Sequence, residues 1–549
     1  MFQCPKCGGH VVFEPTLQKM KCEYCDSLFD PEPGDIPKDE KEGEAKVEVT
    51  EANDQYEANV YTCPQCGGEI ISDADTAVTF CSYCGSSTVL EGRLTKIRKP
   101  DYVIPFVKTK EEAEAAYRQT MSRALFAPSS VKNDTVVERF RGIYMPYWVY
   151  DFQTDGRTVI QGVHDHRRGN YIYHDHYDVK SDLHANYEGI AFDASSSFSD
   201  SLSQAIAPYD TKEKKPFDEG YLAGFYADTS DIPEFVYQND AREMVRADLA
   251  NRLMQTGNYS PYGVSAMDAA RMVGPDKEDS KMGYFPVWFL ANRTKDRISY
   301  AVVNGQTGRV AADIPISFTK YMVGALVVAV PVFLLLMTLF TITPHRAVVI
   351  TMLLGIAAAI INAIQKGQVY RRENYLDDAG MQELNRRKEA EEQGKDPMSN
   401  AEKRRRSQKT VGGEVSPDIL SIFGGISYIV VAVVVYFFAG AFAVFIALAA
   451  LNAILNSAGL TKTKRVVHKD APKGKVPFSE KFSSMLKPLI GFMIGACVMV
   501  WNPVSDLYYY GAILAAMAFV LWSFADMVGL HNRLATRPLP QFGKRGGDE

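Results

Sequence analysis

Eight cysteines confined to the first 84 residues constrain this 549-residue chain more than any other feature. They run Cys4-x2-Cys7-x14-Cys22-x2-Cys25 and then Cys63-x2-Cys66-x14-Cys81-x2-Cys84, and each cysteine of the second set lies 59 positions after its counterpart in the first. One unit is therefore duplicated at a fixed offset. Two CxxC knuckles at this separation set four thiolates tetrahedrally around Zn²⁺, with metal–sulfur bonds of about 2.3 Å. Gly8-Gly9 and Gly67-Gly68 follow each first knuckle and supply the backbone freedom for a tight turn beneath the metal. A disulfide framework is the competing reading. Met1-Phe2-Gln3-Cys4 offers no signal peptide, so the thiols are expected to stay reduced in a cytosol. The expectation is two zinc ribbons, at 1–29 and 61–92, joined by an acidic linker at 30–60. They would hold two Zn²⁺ per chain, one on Cys4, Cys7, Cys22 and Cys25, the other on Cys63, Cys66, Cys81 and Cys84.

Charge bears on what such ribbons could bind. Residues 1–100 carry 10 Lys+Arg against 18 Asp+Glu, and each four-thiolate zinc site adds about −2. Phosphate neutralisation dominates nucleic-acid affinity, so this surface is expected to repel DNA and to favour a protein partner.

A mean hydropathy of −0.15 hides two unlike halves. Through Lys320 the sequence is polar and aromatic-rich; from Tyr321 onward it holds long apolar runs. A bilayer core needs about 20 apolar residues in a helix. On length alone, Tyr321–Thr343, Arg346–Gln365, Ile419–Gly459 (long enough for two), Met485–Trp501 and Leu507–Leu530 predict six spans. These form three hairpins at 319–365, 418–459 and 485–530, separated by basic loops at 366–417 and 460–484 and followed by a tail at 531–549. There are 12 Lys+Arg between Lys366 and Pro417 and eight between Leu460 and Lys487. The positive-inside rule then places the head, both loops and both termini in the cytosol of a multi-pass plasma-membrane protein. Asp526 is the one ionisable group inside a predicted span, which favours anchoring over transport.

Residues 93–318 read as an α+β cytosolic domain. Strand patterns occupy 103–107, 143–163, 171–192 and 284–310; helical patterns occupy 109–125, with Thr109 and Glu112 spaced as a capping box, and 233–254. Met145-Pro146-Tyr147-Trp148-Val149-Tyr150 echoes Phe285-Pro286-Val287-Trp288-Phe289-Leu290 and suggests two similar β-meanders. Five of nine histidines fall between His164 and His184. His164, His166, His174 and His176 can form a second metal site only if a hairpin turn near Arg167-Arg168-Gly169 has three residues. A turn of two or four residues puts the pairs on opposite faces.

The chain contains no GxxxxGK[ST], GxSxG, HExxH or kinase motif set, so it reads as non-enzymatic. The paired ribbons, Val103-Ile104-Pro105-Phe106, Gly142 through Asp151, Tyr221-Leu222-Ala223-Gly224-Phe225, Pro286-Val287-Trp288 and Asn304 through Gly308 together resemble the YdjG-like bacterial membrane proteins with paired TFIIB-type zinc ribbons. The resemblance spans roughly residues 1–340. It implies a cytosolic zinc-ribbon head on a membrane anchor, working beside envelope-stress proteins, with the eight cysteines as zinc ligands. The expected function is a membrane adaptor whose head recruits a cytosolic protein. A membrane-tethered nucleic-acid-binding protein and a transporter with a sensing head are the alternatives.

Overall fold

The computed structural model describes residues 4–31, 55–72, 81–86, 91–257, 259–339, 343–394 and 478–540. Most of the acidic linker, the apolar run Ile419–Gly459, much of both basic loops and the end of the tail lie outside the described residues. The strands are β1 (Val11–Glu14), β2 (Lys19–Cys22), β3 (Leu28–Phe29), β4 (Gln55–Thr62), β5 (Glu69–Ile71), β6 (Glu91–Arg98), β7 (Tyr102–Val103), β8 (Arg141–Arg168), β9 (Tyr171–Asp193), β10 (Lys215–Pro216), β11 (Tyr226–Ala227), β12 (Lys277–Thr294), β13 (Arg297–Asn304), β14 (Val310–Ala312) and β15 (Arg537–Pro538). The helices are α1 (Lys110–Arg123), α2 (Asp134–Val137), α3 (Asp200–Ile206), α4 (Phe235–Thr256), α5 (Ala266–Met272), α6 (Phe318–Leu339), α7 (Pro344–Glu373), α8 (Ala379–Glu392), α9 (Phe478–Trp501) and α10 (Asp506–Leu534). The capping box closes α1 as its spacing demands: Glu112 N donates to Thr109 Oγ1 (3.3 Å) and Thr109 N to Glu112 Oε2 (3.0 Å).

A small sheet, β1-β2-β3, carries the first ribbon, and a twelve-stranded sheet holds all the other strands. Its centre is the antiparallel pair β8–β12, in which Met145 faces Phe285, Tyr144 faces Pro286 and Pro146 faces Tyr284. Each echoed segment runs through a turn into the next strand, β8 into β9 and β12 into β13, and the two segments pair with each other about a local two-fold axis through Met145 and Phe285. Side chains alternate across these strands, as period-two geometry requires. Tyr144, Tyr284, Trp288 and Leu290 join one core with α1 and the first ribbon. Ile143, Met145, Tyr147, Phe285, Val287 and Phe289 join the opposite core, which contains the cysteines of the second ribbon. Both faces are covered, which is why Ile143–Tyr150 is buried without a break. The second ribbon is accordingly continuous with the α+β domain: β4 and β5 are strands of the same sheet. A third core packs α4 and α5 against the outer halves of β8 and β9.

The membrane half corrects the expectation of six spans. Among the described residues two helices, α7 and α10, are long and apolar enough to cross a bilayer. For α6 and α9 the apolar stretches among the described residues are shorter, Phe318–Val332 and Met485–Trp501. Counting apolar letters overran the helix boundaries: Thr343 is the N-cap of α7, not the end of α6. It also passed over Lys487, which pairs with Asp526 across α9 and α10 at 2.7 Å and lies 4.3 Å from the Trp522 ring centroid.

Helices α7, α9 and α10 pack on one another at small residues. A Cβ on Gly355 would meet Pro488 O at 3.0 Å, and one on Gly491 would meet Ala516 O at 3.1 Å. Asn362 Nδ2 donates to Ser523 Oγ at 2.6 Å inside this bundle.

The bundle is bolted to the sheet. Arg297 on β13 pairs with Glu373 at the end of α7 (3.2 Å), and donates to Arg533 O (3.0 Å) in the last turn of α10 and to Thr536 Oγ1 (2.7 Å) just beyond it. Arg372 pairs with Asp313 at 2.7 Å.

The same seam buries three carboxylates: Asp193 at the end of β9, Asp200 on α3 and Asp378 just before α8. Tyr237 of α4 donates to Asp200 at 2.7 Å, and Arg537, whose charge acts on Asp378, also pairs with Asp313 at 3.9 Å. Burial, and then the charge of Asp200, push Asp193 and Asp378 well above the usual carboxylate range. The folded seam thus holds protons that the unfolded chain releases above about pH 4. Its contribution to stability is full below that pH and declines as pH rises through the folded-state values. The melting temperature of the detergent-solubilised chain is expected to fall as pH rises above about 4, and Asp193→Asn to flatten the fall. An identical slope in both proteins would contradict this.

Candidate metal centres

Each ribbon places its four cysteines by the same local devices. In the first, Gly8 N donates to Cys4 O (2.8 Å) and Asp26 N to Cys22 O (3.1 Å); in the second, Gly67 N donates to Cys63 O (2.7 Å) and Gly85 N to Cys81 O (3.0 Å). The backbone turns left-handed at Gly8 (φ 72°) and Gly67 (φ 72°), and again at Asp26 (φ 53°) and Gly85 (φ 68°). Glycine adopts these values without the Cβ clash, and Asp is among the few residues that tolerate them. Each left-handed position recurs 59 residues on, so the duplication extends to the turns.

The sulfurs converge. Cys7 Sγ lies 3.4 Å from Cys25 Sγ and 3.5 Å from Cys22 Sγ, and Cys4 Sγ is 3.5 Å from Cys25 Sγ. In the second cluster Cys63–Cys84 and Cys66–Cys81 are both 3.7 Å. All four ligand atoms of each group lie within 4.8 Å of one another. A disulfide needs about 2.05 Å. Four sulfurs each about 2.3 Å from one centre sit about 3.8 Å apart, so both clusters fit a metal ion and neither is a pair of bridges. Sequence reasoning missed Ser27 and Ser86, themselves 59 apart. Cys25 and Ser27 Oγ are 3.3 Å apart, and Cys84 and Ser86 Oγ are 3.1 Å apart. The side chain and backbone of Ser27 bring the Cys25 thiol down to about 6, and Cys81 draws Cys63 down to about 6. Each cluster thus has a thiol ready to ionise, the form that binds metal.

The two centres differ in depth. Cys63, Cys66, Cys81 and Cys84 are all 0–1% exposed. Around them, Tyr300 donates to Tyr83 O at 2.8 Å and the Tyr83 and Phe289 rings meet edge-on at 6.0 Å. In the first ribbon Cys7 and Cys25 are exposed. The ribbon rests on the domain through Phe13, whose N–H donates to Ala223 O (3.0 Å) and whose ring meets Tyr221 at 5.3 Å. A chelator reaches the exposed pair directly, whereas the buried set opens only with the sheet. Metal is therefore expected to leave in two kinetic phases of equal amplitude, at least about tenfold apart. Cys7→Ser should remove the fast phase alone. A single phase for both ions would contradict the difference in burial.

The four histidines do not converge. Arg168 pairs with Tyr171, leaving a two-residue turn at Gly169 and Asn170, and the register sets His164 opposite Asp175 and His174 opposite Asp165. Cross-strand partners share a face, so His164 and His166 lie on one side of the ribbon and His174 and His176 on the other. The imidazoles pair with carboxylates instead: His174 with Asp165 (2.6 Å), His166 with Asp175 (3.1 Å) and His184 with Asp155 (2.6 Å). Among the described residues, the two four-cysteine groups are the clusters able to hold a metal.

Over 324 residues, 58% of its length, the chain is 28% identical to "Uncharacterized protein YdjG" of Bacillus subtilis (strain 168), and the match covers 91% of that protein. No protein-family model matches the chain, and no solved structure does.

Proposed function

We propose that the chain is a non-enzymatic membrane adaptor. In this reading two Zn²⁺ hold the ribbons, α7 and α10 anchor the protein in the cell membrane, and the head recruits a protein partner in the cytosol for envelope maintenance. The single observation that carries the reading is the surface of the first ribbon. Leu17, Tyr24 and Leu28 are 50%, 78% and 46% exposed, on a metal-braced scaffold whose surroundings are acidic. Exposed aromatic and aliphatic side chains on a rigid unit are the usual anchors of protein recognition, and the charge disfavours nucleic acid. Zinc is the metal favoured by four thiolates in tetrahedral arrangement.

Orientation is supported by the seam. The carboxyl-terminal ends of α7 and α10 both meet the sheet, and that end carries Arg371, Arg372, Arg533 and Arg537. Basic residues flanking a span mark the cytosolic side, which is then the side of the head.

Crosslinking and affinity capture of the full chain from membranes test the reading. Partners recovered with the native protein should be lost with Tyr24→Ser and with Cys7→Ser/Cys25→Ser, while the buried second ribbon keeps the domain folded. Recovery of the same partners from all three proteins would remove the ribbon as the recruiting surface. Tight, steeply salt-dependent DNA retention on filters would favour nucleic-acid binding instead.

A further inference from the structure

A cavity of about 240 Å³ opens between the start of α1 and the β8–β12–β11 part of the sheet. It is smaller than the 300–1,000 Å³ typical of drug-sized ligands and holds about eight water volumes of about 30 Å³. Two cations line it. Lys110 Nζ donates to Glu138 O at 2.8 Å, and Arg141 Nη1 donates to the same oxygen at 3.4 Å and to Phe140 O at 3.1 Å. One carbonyl thus gathers two positive charges. Among the described residues no carboxylate lies within ion-pair distance of Arg141, and Glu114 stands at the 4.0 Å limit from Lys110. Two like charges held together with a single carboxylate at the outer limit of ion-pair distance are unfavourable, and an anion relieves that cost.

The other walls are aromatic and rigid. Phe225 stacks on Phe106 with centroids 4.3 Å apart, Trp288 is set edge-on to Phe106 at 5.1 Å, and Phe140 meets Tyr117 at 5.5 Å. The Trp288 Nε1 proton is already given to Lys108 O at 2.9 Å, so the indole adds an apolar wall rather than a donor. A Cβ on Gly142 would fall 2.4 Å from Phe225 Cδ1, so the bare backbone there is what lets the ring close the wall. Because the walls are already packed, a ligand would order little on binding. Both ribbons brace the site: Gly224 lies against Val12 of the first, and Ala227 of β11 pairs with Ile71 of β5 in the second.

We infer that this cleft binds a small organic anion, a carboxylate or phosphate head carried on a flat ring, with the head on Arg141 and Lys110 and the ring between Phe140, Phe225 and Trp288. The inference is independent of the adaptor reading, since it concerns a ligand site rather than a protein surface.

Calorimetric titration of the detergent-solubilised full chain with phenyl phosphate, benzoate, inorganic phosphate and benzyl alcohol tests it. Phenyl phosphate or benzoate, or both, should bind; whichever is tighter identifies the head group. Benzyl alcohol should not bind, inorganic phosphate should be at least tenfold weaker than the better ring-bearing anion, and added salt should weaken binding. Arg141→Gln should cost at least tenfold and Lys110→Gln severalfold, with melting temperatures near that of the native chain. Arg141→Lys keeps a charge and should fall between native and Arg141→Gln. The inference fails if neither ring-bearing anion binds at millimolar concentration, if both glutamine variants bind as well as the native chain, or if inorganic phosphate or benzyl alcohol binds equally well.

Discussion

Cys81→Ser is expected to abolish the cooperative thermal unfolding of the sheet domain, whereas Cys7→Ser leaves that transition in place. Both substitutions remove one of four thiolates, and a serine hydroxyl is a poor replacement. A structural four-coordinate zinc contributes about 10–16 kcal/mol to a small metal-dependent unit, against a total stability of about 5–15 kcal/mol for a domain. Losing even part of the first figure exhausts the second. The difference between the variants comes from where the metal sits. Cys81 is 0% exposed among Tyr83, Phe289 and Tyr300 in the core under β8 and β12. A defect there leaves three buried thiols around a void, at the point where β4 and β5 join the sheet. Cys7 faces solvent, and the first ribbon belongs to a separate three-stranded sheet. Circular dichroism melts of the full chain in detergent would decide it. A Cys81→Ser protein melting within a few degrees of the native one would show that the second centre is dispensable.

Phe285→Ala is the second large effect. Phe285 is 0% exposed and forms the local two-fold pair with Met145. Its ring stacks on Tyr147 at 4.4 Å and 15°, meets Tyr209 edge-on at 4.8 Å and tilts toward Tyr102 at 6.3 Å. Removing it strands three aromatic rings around a cavity that the surrounding strands cannot close, because β8 and β12 are tied by backbone hydrogen bonds on both sides. The expected loss is about 3–5 kcal/mol. The control is Ile172→Ala at the tip of the β8–β9 hairpin, where Ile172 is 63% exposed and the change should stay within about 0.5 kcal/mol. Denaturant midpoints at constant slope measure both. A Phe285→Ala cost below about 1 kcal/mol would mean that the two-fold centre is not where the core is anchored.

Elements whose signal is local are legible in the amino-acid sequence. The cysteine spacing is set by the few residues between knuckles, and the capping box of α1 is set by three. The outer halves of β8 and β9 are visible because alternation survives wherever one face is wet. Other features depend on partners distant in the chain. Whether four histidines share a face turns on a single residue in the Gly169-Asn170 turn, and composition carries no information about that. The echo between Met145 and Phe285 is visible as letters; that the two copies pair with each other follows from the long-range register of β8 and β12. Asp193, Asp200 and Asp378 look like ordinary surface acids in sequence, since nothing nearby in the chain announces burial. Lys110 and Arg141 stand out no better, because their convergence on Glu138 O arises from packing α1 against the sheet edge.

The apolar half makes the same division. Hydropathy identifies where helices lie, but a run of apolar letters does not mark where one helix stops and the next begins, and α7 and α10 are the described helices that are both long and apolar enough to cross a bilayer. What the chain alone determined are its thiolate clusters, because metal geometry acts over a handful of bonds. What only the tertiary structure decided is which cluster is sealed inside the sheet and which faces water. That choice is made by burial against residues some 200 positions away, such as Tyr300 on Tyr83, where packing and not spacing supplies the energy.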